Sequence, residues 1–200
     1  LDMKFSKQEQ VLMKKDNSLK KLIISNKHIS LEKPTENYYD SLINLVISQF
    51  ISRSAAISIS NKLLISFDAT VFKQDFFENL TYQQIHKLGL TKNKAKCIKD
   101  ITYNFINEDF SQKITSLSAD EFDRYFLSIY GLGPWTLNMF KLFSLGDEDI
   151  FSSKDAALRR AMEISGMVTL GSDHKQYDLY ANRWKPFRSI ASLHLWRSLD

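Results

Sequence analysis

Two stretches of this chain hold residues whose types and spacing could do chemistry. The first, IYGLGPWTLNMF at residues 129–140, sets two of the chain's six glycines, Gly131 and Gly133, two residues apart and follows them with Pro134 and Trp135. Glycine accepts positive φ and close backbone approach, so a Gly-Leu-Gly turn can direct N–H groups outward at an anion. Pro134 suits the first turn of a helix, whose exposed amides carry partial positive charge fit for a phosphate. The same residues also make a tight turn between two helices with no ligand. The second stretch, DEDIFSSKDAALRRAM at residues 147–162, puts Asp155 at the opening of a helix, twenty residues past Trp135. A fixed carboxylate can stabilise developing positive charge and orient a water. An aspartate at that place is equally a plain N-cap, and the spacing by itself leaves both readings open.

Positioning these stretches falls to helices. Apolar residues recur at three-and-four spacing in nearly every segment. Tyr39, Leu42, Ile43, Val46, Ile47 and Phe50 form one wide face, and Ala55, Ile59, Leu63 and Leu64 continue the pattern on a second helix. Further helices are expected over residues 7–14, 19–26, 92–107, 119–130, 134–144, 155–165, 176–183 and 186–199. Ser118 with Glu121 has the form of a capping box, Pro186 fits a first helical turn, and Gly146 and Gly166 mark helix ends. Residues 167–176, MVTLGSDHKQ, read as an irregular connection; no strand pair and no long-period repeat stands out. The expected architecture is an all-α domain over residues 1–200, two helical lobes with a cleft between them. Its hairpin lies at about 119–144 and its catalytic segment at about 149–165.

Composition narrows the function classes. With 200 residues, 44% of them hydrophobic and 25% charged, the chain has the balance of a folded protein with a core of ordinary size. A single cysteine, Cys97, excludes an internal disulfide and any zinc or iron–sulfur centre built on several thiolates; its ordinary reading is a small half-buried side chain. His28, His86, His174 and His194 are scattered without ligand spacing, so no metal site is expected, and His194 near Trp196 reads as structural support. No apolar run reaches the roughly 18 residues of a membrane span, and the start, LDMKFSKQEQ, lacks the apolar core of a secretion signal. An intracellular protein without membrane contact is therefore expected, with Leu1 and Asp2 ahead of Met3 read as an expression remnant. A net charge of +4 suits an anionic partner such as nucleic acid.

Taken together, GLGPWT at residues 131–136, DIFSSKD at 149–155 and YANRWKPFRSIASLHLW at 180–196 resemble the helix-hairpin-helix DNA glycosylases, and within that superfamily the 3-methyladenine DNA glycosylase II branch. SLINLVISQFISRSAAISISNKL at residues 41–63 is similar to that branch's early helix pair, so the resemblance covers about residues 38–196. It implies a monomeric enzyme that works on DNA inside the cell. Such an enzyme flips a damaged base out of the double strand and hydrolyses its N-glycosidic bond, the opening step of base excision repair. The implied substrates are alkylated purines of the 3-methyladenine and 7-methylguanine type. No cofactor is implied beyond a monovalent cation held by backbone carbonyls of the hairpin.

The resemblance also assigns roles. Asp155 stabilises the oxocarbenium-like sugar and orients water. Trp135 and Trp196 line the base pocket, with Met139 one turn beyond Trp135 beside it. Gly131, Gly133 and Thr136 bind the DNA backbone, and Phe50 stands near the duplex-inserting position. Bifunctional relatives carry a lysine right after the hairpin to form a Schiff base; Trp135 stands there, so no strand cleavage is expected. Larger bacterial members open with a sheet domain, for which the residues ahead of Tyr38 leave no room. Lys154 occupies a place where some members have a second acidic residue, and Phe50 one where others have Gln or Leu.

An alkylated purine carries positive charge, so an indole face attracts it by about 0.5–2 kcal/mol, and its glycosidic bond is already weak. Core packing is the alternative reading for either tryptophan. For Phe50, an apolar wedge and packing along its own helix face stand as equal alternatives. Lys92, Lys94, Arg159 and Arg183 could meet phosphate or simply solvate a helix. Two other functions fit the same residues: a glycosylase for a deaminated or oxidised base, and a non-catalytic lesion-binding DNA protein.

Overall fold

The computed structural model describes residues 5–31 and 33–199; Leu1 and Asp2 lie outside them. Every regular element among the described residues is helical, and the chain divides into two compact units, one of Leu1–Pro34 with Lys141–Asp200 and the other of Thr35–Phe140. The first unit opens with α1 (Lys7–Lys15) and α2 (Asn17–Asn26). The second holds α3 (Tyr38–Ser48), α4 (Arg53–Ser66), α5 (Asp75–Glu78), α6 (Tyr82–Lys87), α7 (Lys92–Asn107), α8 (Phe110–Ser116), α9 (Ala119–Ser128) and most of α10 (Pro134–Phe143). The first unit then resumes with α11 (Ala156–Ile164), α12 (His174–Ala181), a 3-10 turn (Asn182–Trp184) and α13 (Arg188–Arg197).

In the second unit α3 buries Tyr39, Leu42, Ile43, Val46 and Ile47, the face its spacing predicts. Phe50 does not join them, because the helix ends at Ser48 and Phe50 turns to φ +60°. The buried stripe of α4 runs through Ala56, Ser60 and Leu63 instead of Ala55, Ile59 and Leu64. That rotation places the Ser60 hydroxyl to donate to Asn44 Oδ1 at 2.8 Å. Phe110 centres an aromatic cluster, stacked on Phe105 at 4.4 Å and edge-on to Phe140 at 5.9 Å. The short helices α5, α6 and α8 span too few residues to display a period, and the sequence pattern misses them. The capping box of Ser118 and Glu121 is present at α9, and Gly146 and Gly166 take the positive φ of helix ends.

The first unit is tied by buried carboxylates. Glu9 has no exposed surface. Its Oε1 accepts from Ile29 N at 2.9 Å and meets His194 Nε2 at 3.1 Å, while its Oε2 accepts from Ser6 N at 2.6 Å and meets His28 Nδ1 at 2.7 Å. Asp16 does similar work: Oδ1 caps α2 through Ser18 N and Leu19 N, and Oδ2 accepts from the indole of the fully buried Trp184 at 2.9 Å. The C-terminal helix starts later than expected. Pro186 is not in its first turn but follows a cis peptide bond in a turn closed by Phe187 N donating to Trp184 O at 2.8 Å, so α13 begins at Arg188.

Burial alone would raise the Glu9 carboxyl, but the N–H of Ile29, the His28 ring and Ser6 outweigh it and hold the group below its ordinary value. Burial likewise lowers His194, against the pull of Glu9. Both folded values lie below the unfolded ones, so both groups contribute stability that is present above the unfolded values and lost as pH falls through the folded ones. Stability is therefore expected to decline below about pH 6.5, where an unfolded histidine takes up the proton that buried His194 resists, and further below about pH 4.3, where an unfolded glutamate protonates before Glu9 does. Thermal melts of the protein and of Glu9→Gln across pH 3–8 test this: the gap between the two should be widest near neutrality and shrink through the acid range.

Candidate functional site

The site residues fall into two groups, one in each unit. In the second unit α9 gives way at Ile129 to a turn that Leu132 N closes on Ile129 O at 3.2 Å, and α10 begins at Pro134. Gly131 sits at φ +81°, and a Cβ there would meet the Cβ and Sγ of Cys97 at 2.8 Å. The fold itself thus demands glycine at 131. Gly133 has no such need: its φ is ordinary, and a methyl group added there would meet no described atom within 4 Å beyond its chain neighbours. Cys97 is fully buried rather than half-buried, and burial with the Asp100 charge pushes its thiol up to about 12, far from a reactive thiolate.

Two side chains pin this turn. Asp100 on α7 accepts from Tyr130 N at 2.7 Å. Gln49, the C-cap of α3, donates through Nε2 to Gly131 O at 3.1 Å and to Thr136 Oγ1 at 2.9 Å. Thr136 is accordingly buried, its hydroxyl facing inward. Met139 is buried as well, Trp135 is half-buried, and Phe50 stands fully exposed beside Gln49. Packing along its own helix is thereby excluded for Phe50. Gln49 escapes sequence reasoning, since its only signal is a polar residue ending an apolar face. Lys94 is corrected too: it is buried, and its ammonium donates to Ile47 O at 2.6 Å, satisfying a carbonyl at the end of α3 instead of meeting phosphate. Lys92 is exposed.

In the first unit Asp155 is the N-cap of α11, with Oδ1 accepting from Leu158 N at 2.9 Å. The same oxygen accepts from Trp196 Nε1 at 3.2 Å. Trp196 is half-buried in the last turn of α13, and its ring stacks on Phe143 with centroids 5.9 Å apart. The irregular segment leading to Asp155 is fastened to the start of α13. Arg188 grips Asp149 through Nε at 2.7 Å and Nη2 at 3.0 Å; Ser189 Oγ donates to Asp147 O at 2.6 Å and accepts from Ile150 N at 2.9 Å; Ser192 Oγ donates to Ile150 O at 3.2 Å. Closer to Asp155, the Ser153 carbonyl accepts from Arg159 Nη1 and meets His174 Nδ1, each at 2.6 Å. Arg183 lies flat on Tyr180, 3.6 Å from the ring centre. Arg188, Ser189 and Ser192 sit inside a motif the sequence displays, yet their task of holding residues 147–150 is invisible without the fold.

Chemically, the first group offers a glycine turn with one glycine open to close approach, and the second a carboxylate held by donors from two helices. Among the described residues no group of three or more His, Cys, Asp or Glu is placed to hold a metal ion, and no helix is long and apolar enough to cross a membrane.

No family model matches the chain. The alkylbase DNA glycosidase-like protein mag2 of Schizosaccharomyces pombe is 26% identical over 203 residues, covering 98% of this chain and 94% of that protein. A Mycobacterium tuberculosis relative that carries the AlkA name is 27% identical over 168 residues, 79% of this chain, and the chain spans only 33% of that longer protein. Among solved structures, a 3-methyladenine DNA glycosylase of Schizosaccharomyces pombe in complex with abasic DNA superposes with a TM-score of 0.84 at 23% identity, covering 96% of each chain. Along nearly its whole length the chain is thus similar in sequence to an alkylbase DNA glycosidase-like protein, and it has the fold of a 3-methyladenine DNA glycosylase.

Proposed function

We propose that the protein is a monofunctional DNA glycosylase that excises alkylated purines, of the 3-methyladenine and 7-methylguanine type, from double-stranded DNA in base excision repair. The observation that carries the proposal is the fastening of Asp155: Arg188, Ser189, Ser192 and Trp196, all on α13, hold its segment and its carboxylate more firmly than a helix cap requires. The relatives' names, given for those proteins, point the same way. In this reading the damaged base leaves the stack, Phe50 fills the gap as an apolar wedge, and the amides beyond Gly133 take a backbone phosphate. As the glycosidic bond breaks, positive charge grows on the deoxyribose; the Asp155 carboxylate stabilises it and orients the attacking water. Trp135 supplies an aromatic face to the cationic purine, with the buried Met139 one turn beyond it.

The protein is read as a monomer acting on DNA inside the cell, over a single glycosylase domain of residues 1–200. A monovalent cation at the hairpin carbonyls belongs to the same proposal. The Gly131 and Ile129 carbonyls already accept from Gln49 and Leu132 N, so a cation would share such oxygens with those donors. No step of the reaction is routed through it.

Asp155→Asn keeps the side-chain oxygen that caps α11 and removes the charge. It should lower single-turnover release of 7-methylguanine by about a hundredfold or more while abasic-DNA binding persists; near-normal release would remove Asp155 from catalysis. The two glycines should separate folding from DNA contact. Gly131→Ala is expected to cost about 1–3 kcal/mol of stability through backbone strain and its clash with Cys97, whereas Gly133→Ala should melt like the parent and bind DNA less tightly. Equal melting points for the two variants would defeat this assignment. The reaction product should be an intact abasic strand, and a covalent enzyme–DNA adduct captured by borohydride during turnover would contradict it.

A further inference from the structure

Resting on the reading of Phe50 as the wedge and of the amides beyond Gly133 as the phosphate grip, we propose that Gln49 is a positioning residue that joins the two into one rigid element, so that insertion and grip are set together. Its amide spans the glycine turn. Nε2 donates to Gly131 O at 3.1 Å on one side and to Thr136 Oγ1, in the first turn of α10, at 2.9 Å on the other. Gly133 and Pro134 lie between these two acceptors in the chain. A carbonyl oxygen can only accept, so the nitrogen of the Gln49 amide is the atom that faces Gly131. The next residue is Phe50, whose ring stands in water and whose φ of +60° is one that a bulky side chain seldom takes. The bonds of Gln49 thus fix, one peptide away, the backbone from which the wedge projects.

Two bonds from α7 complete the frame. The buried Lys94 donates from Nζ to Ile47 O at 2.6 Å and so holds the end of α3. Asp100, less than two turns further along α7, accepts from Tyr130 N at 2.7 Å and holds the entry to the hairpin. With Gln49 running from α3 to the hairpin, these links join α3, α7 and the glycine turn in a closed triangle. Inside the loop that carries the wedge, closure is weak: Ile51 N reaches Ser48 O only at 3.4 Å. The link through Gln49 therefore decides whether Phe50 keeps a set distance from the grip or moves on its own. A wedge that unstacks a base step needs the duplex bent around it, and two prongs at a preset spacing place that adjustment in the DNA instead of the protein. Presetting of this kind spares the complex an ordering cost on binding.

Gln49→Met keeps the length of the side chain and removes the donor without adding charge. Affinity for a duplex holding an abasic-site analogue is measured for Phe50→Ala, Gly133→Ala and the two together, first with Gln49 in place and then with Gln49→Met. With Gln49 present, each single change should weaken binding about tenfold and the pair only about twentyfold to thirtyfold, short of the product, because losing either prong already frees the other. With Gln49→Met the two losses should multiply. Losses that multiply with Gln49 present, or a shortfall that survives Gln49→Met, would overturn the inference. A second readout needs no DNA. In ¹⁵N relaxation of the free protein the backbone amides of Phe50 and Ile51 should gain mobility in Gln49→Met, and equally in Gln49→Glu, whose carboxylate cannot donate to a carbonyl, while the amides of α7 stay as they were. A Phe50 amide as rigid as in the parent would overturn the positioning role. Should Phe50→Ala alone bind and excise like the parent, the wedge reading itself falls, and the amide mobility still decides whether Gln49 positions the loop.

Discussion

A buried stretch of irregular backbone must have its N–H and C=O groups met, and residues 150–153, which connect α10 to α11 without helical bonds of their own, are such a stretch. Helix α13 meets that requirement for the approach to Asp155. Ser189 bridges Asp147 and Ile150, Ser192 takes the Ile150 carbonyl, and Arg188 closes a fork on Asp149. The carboxylate at the end of this segment is therefore placed by a helix more than thirty residues later in the chain. That helix is anchored in turn, because His194 meets Glu9, and Trp184 just ahead of it donates to Asp16. Positioning runs from α1 and α2 through α13 to Asp155, one hydrogen-bonded step at a time.

The glycine turn obeys the same requirement on a smaller scale. Its amide at Tyr130 is held by Asp100 and its carbonyl at Gly131 by Gln49, so the turn is preset by α7 and α3. Close packing against Cys97 fixes which of the two glycines the fold needs. The other is left available for whatever approaches from outside. An apolar ring at Phe50, fully in water on a left-handed backbone, is the least comfortable residue of this unit. Strain of that sort persists only where surrounding structure enforces it, and here the adjoining Gln49 is bonded on both sides of the turn.

The helical class was legible because amphipathic spacing survives in α3, α7, α9 and α11, where one face meets the core along several turns. Asp155 as a cap and Ser118 with Glu121 as a capping box were legible for the same reason, being local patterns. What sequence could not show was non-local. Lys94 reads as a surface cation until α3 is found to end above it, with the Ile47 carbonyl in reach. Pro186 reads as a helix start until Phe187 N turns back to Trp184. The tasks of Gln49 and Ser189 leave no local trace, since their partners lie 82 and 39 residues away. The motifs advertised where the chemistry belongs; the side chains that steady it are scattered by the topology.

The division of the first unit between the two ends of the chain has a consequence for how the protein is made. Thr35–Phe140 is one continuous segment, complete once residue 140 has left the ribosome. The other unit cannot close then: Glu9 waits for a histidine 185 residues later and Asp16 for an indole 168 residues later. Contacts of such separation are slow to form, because loop entropy must be overcome before they reward the chain. During synthesis α1 and α2 therefore wait with their apolar faces unmatched while the inserted unit folds first, and that interval is when a nascent chain of this kind most needs shelter from aggregation.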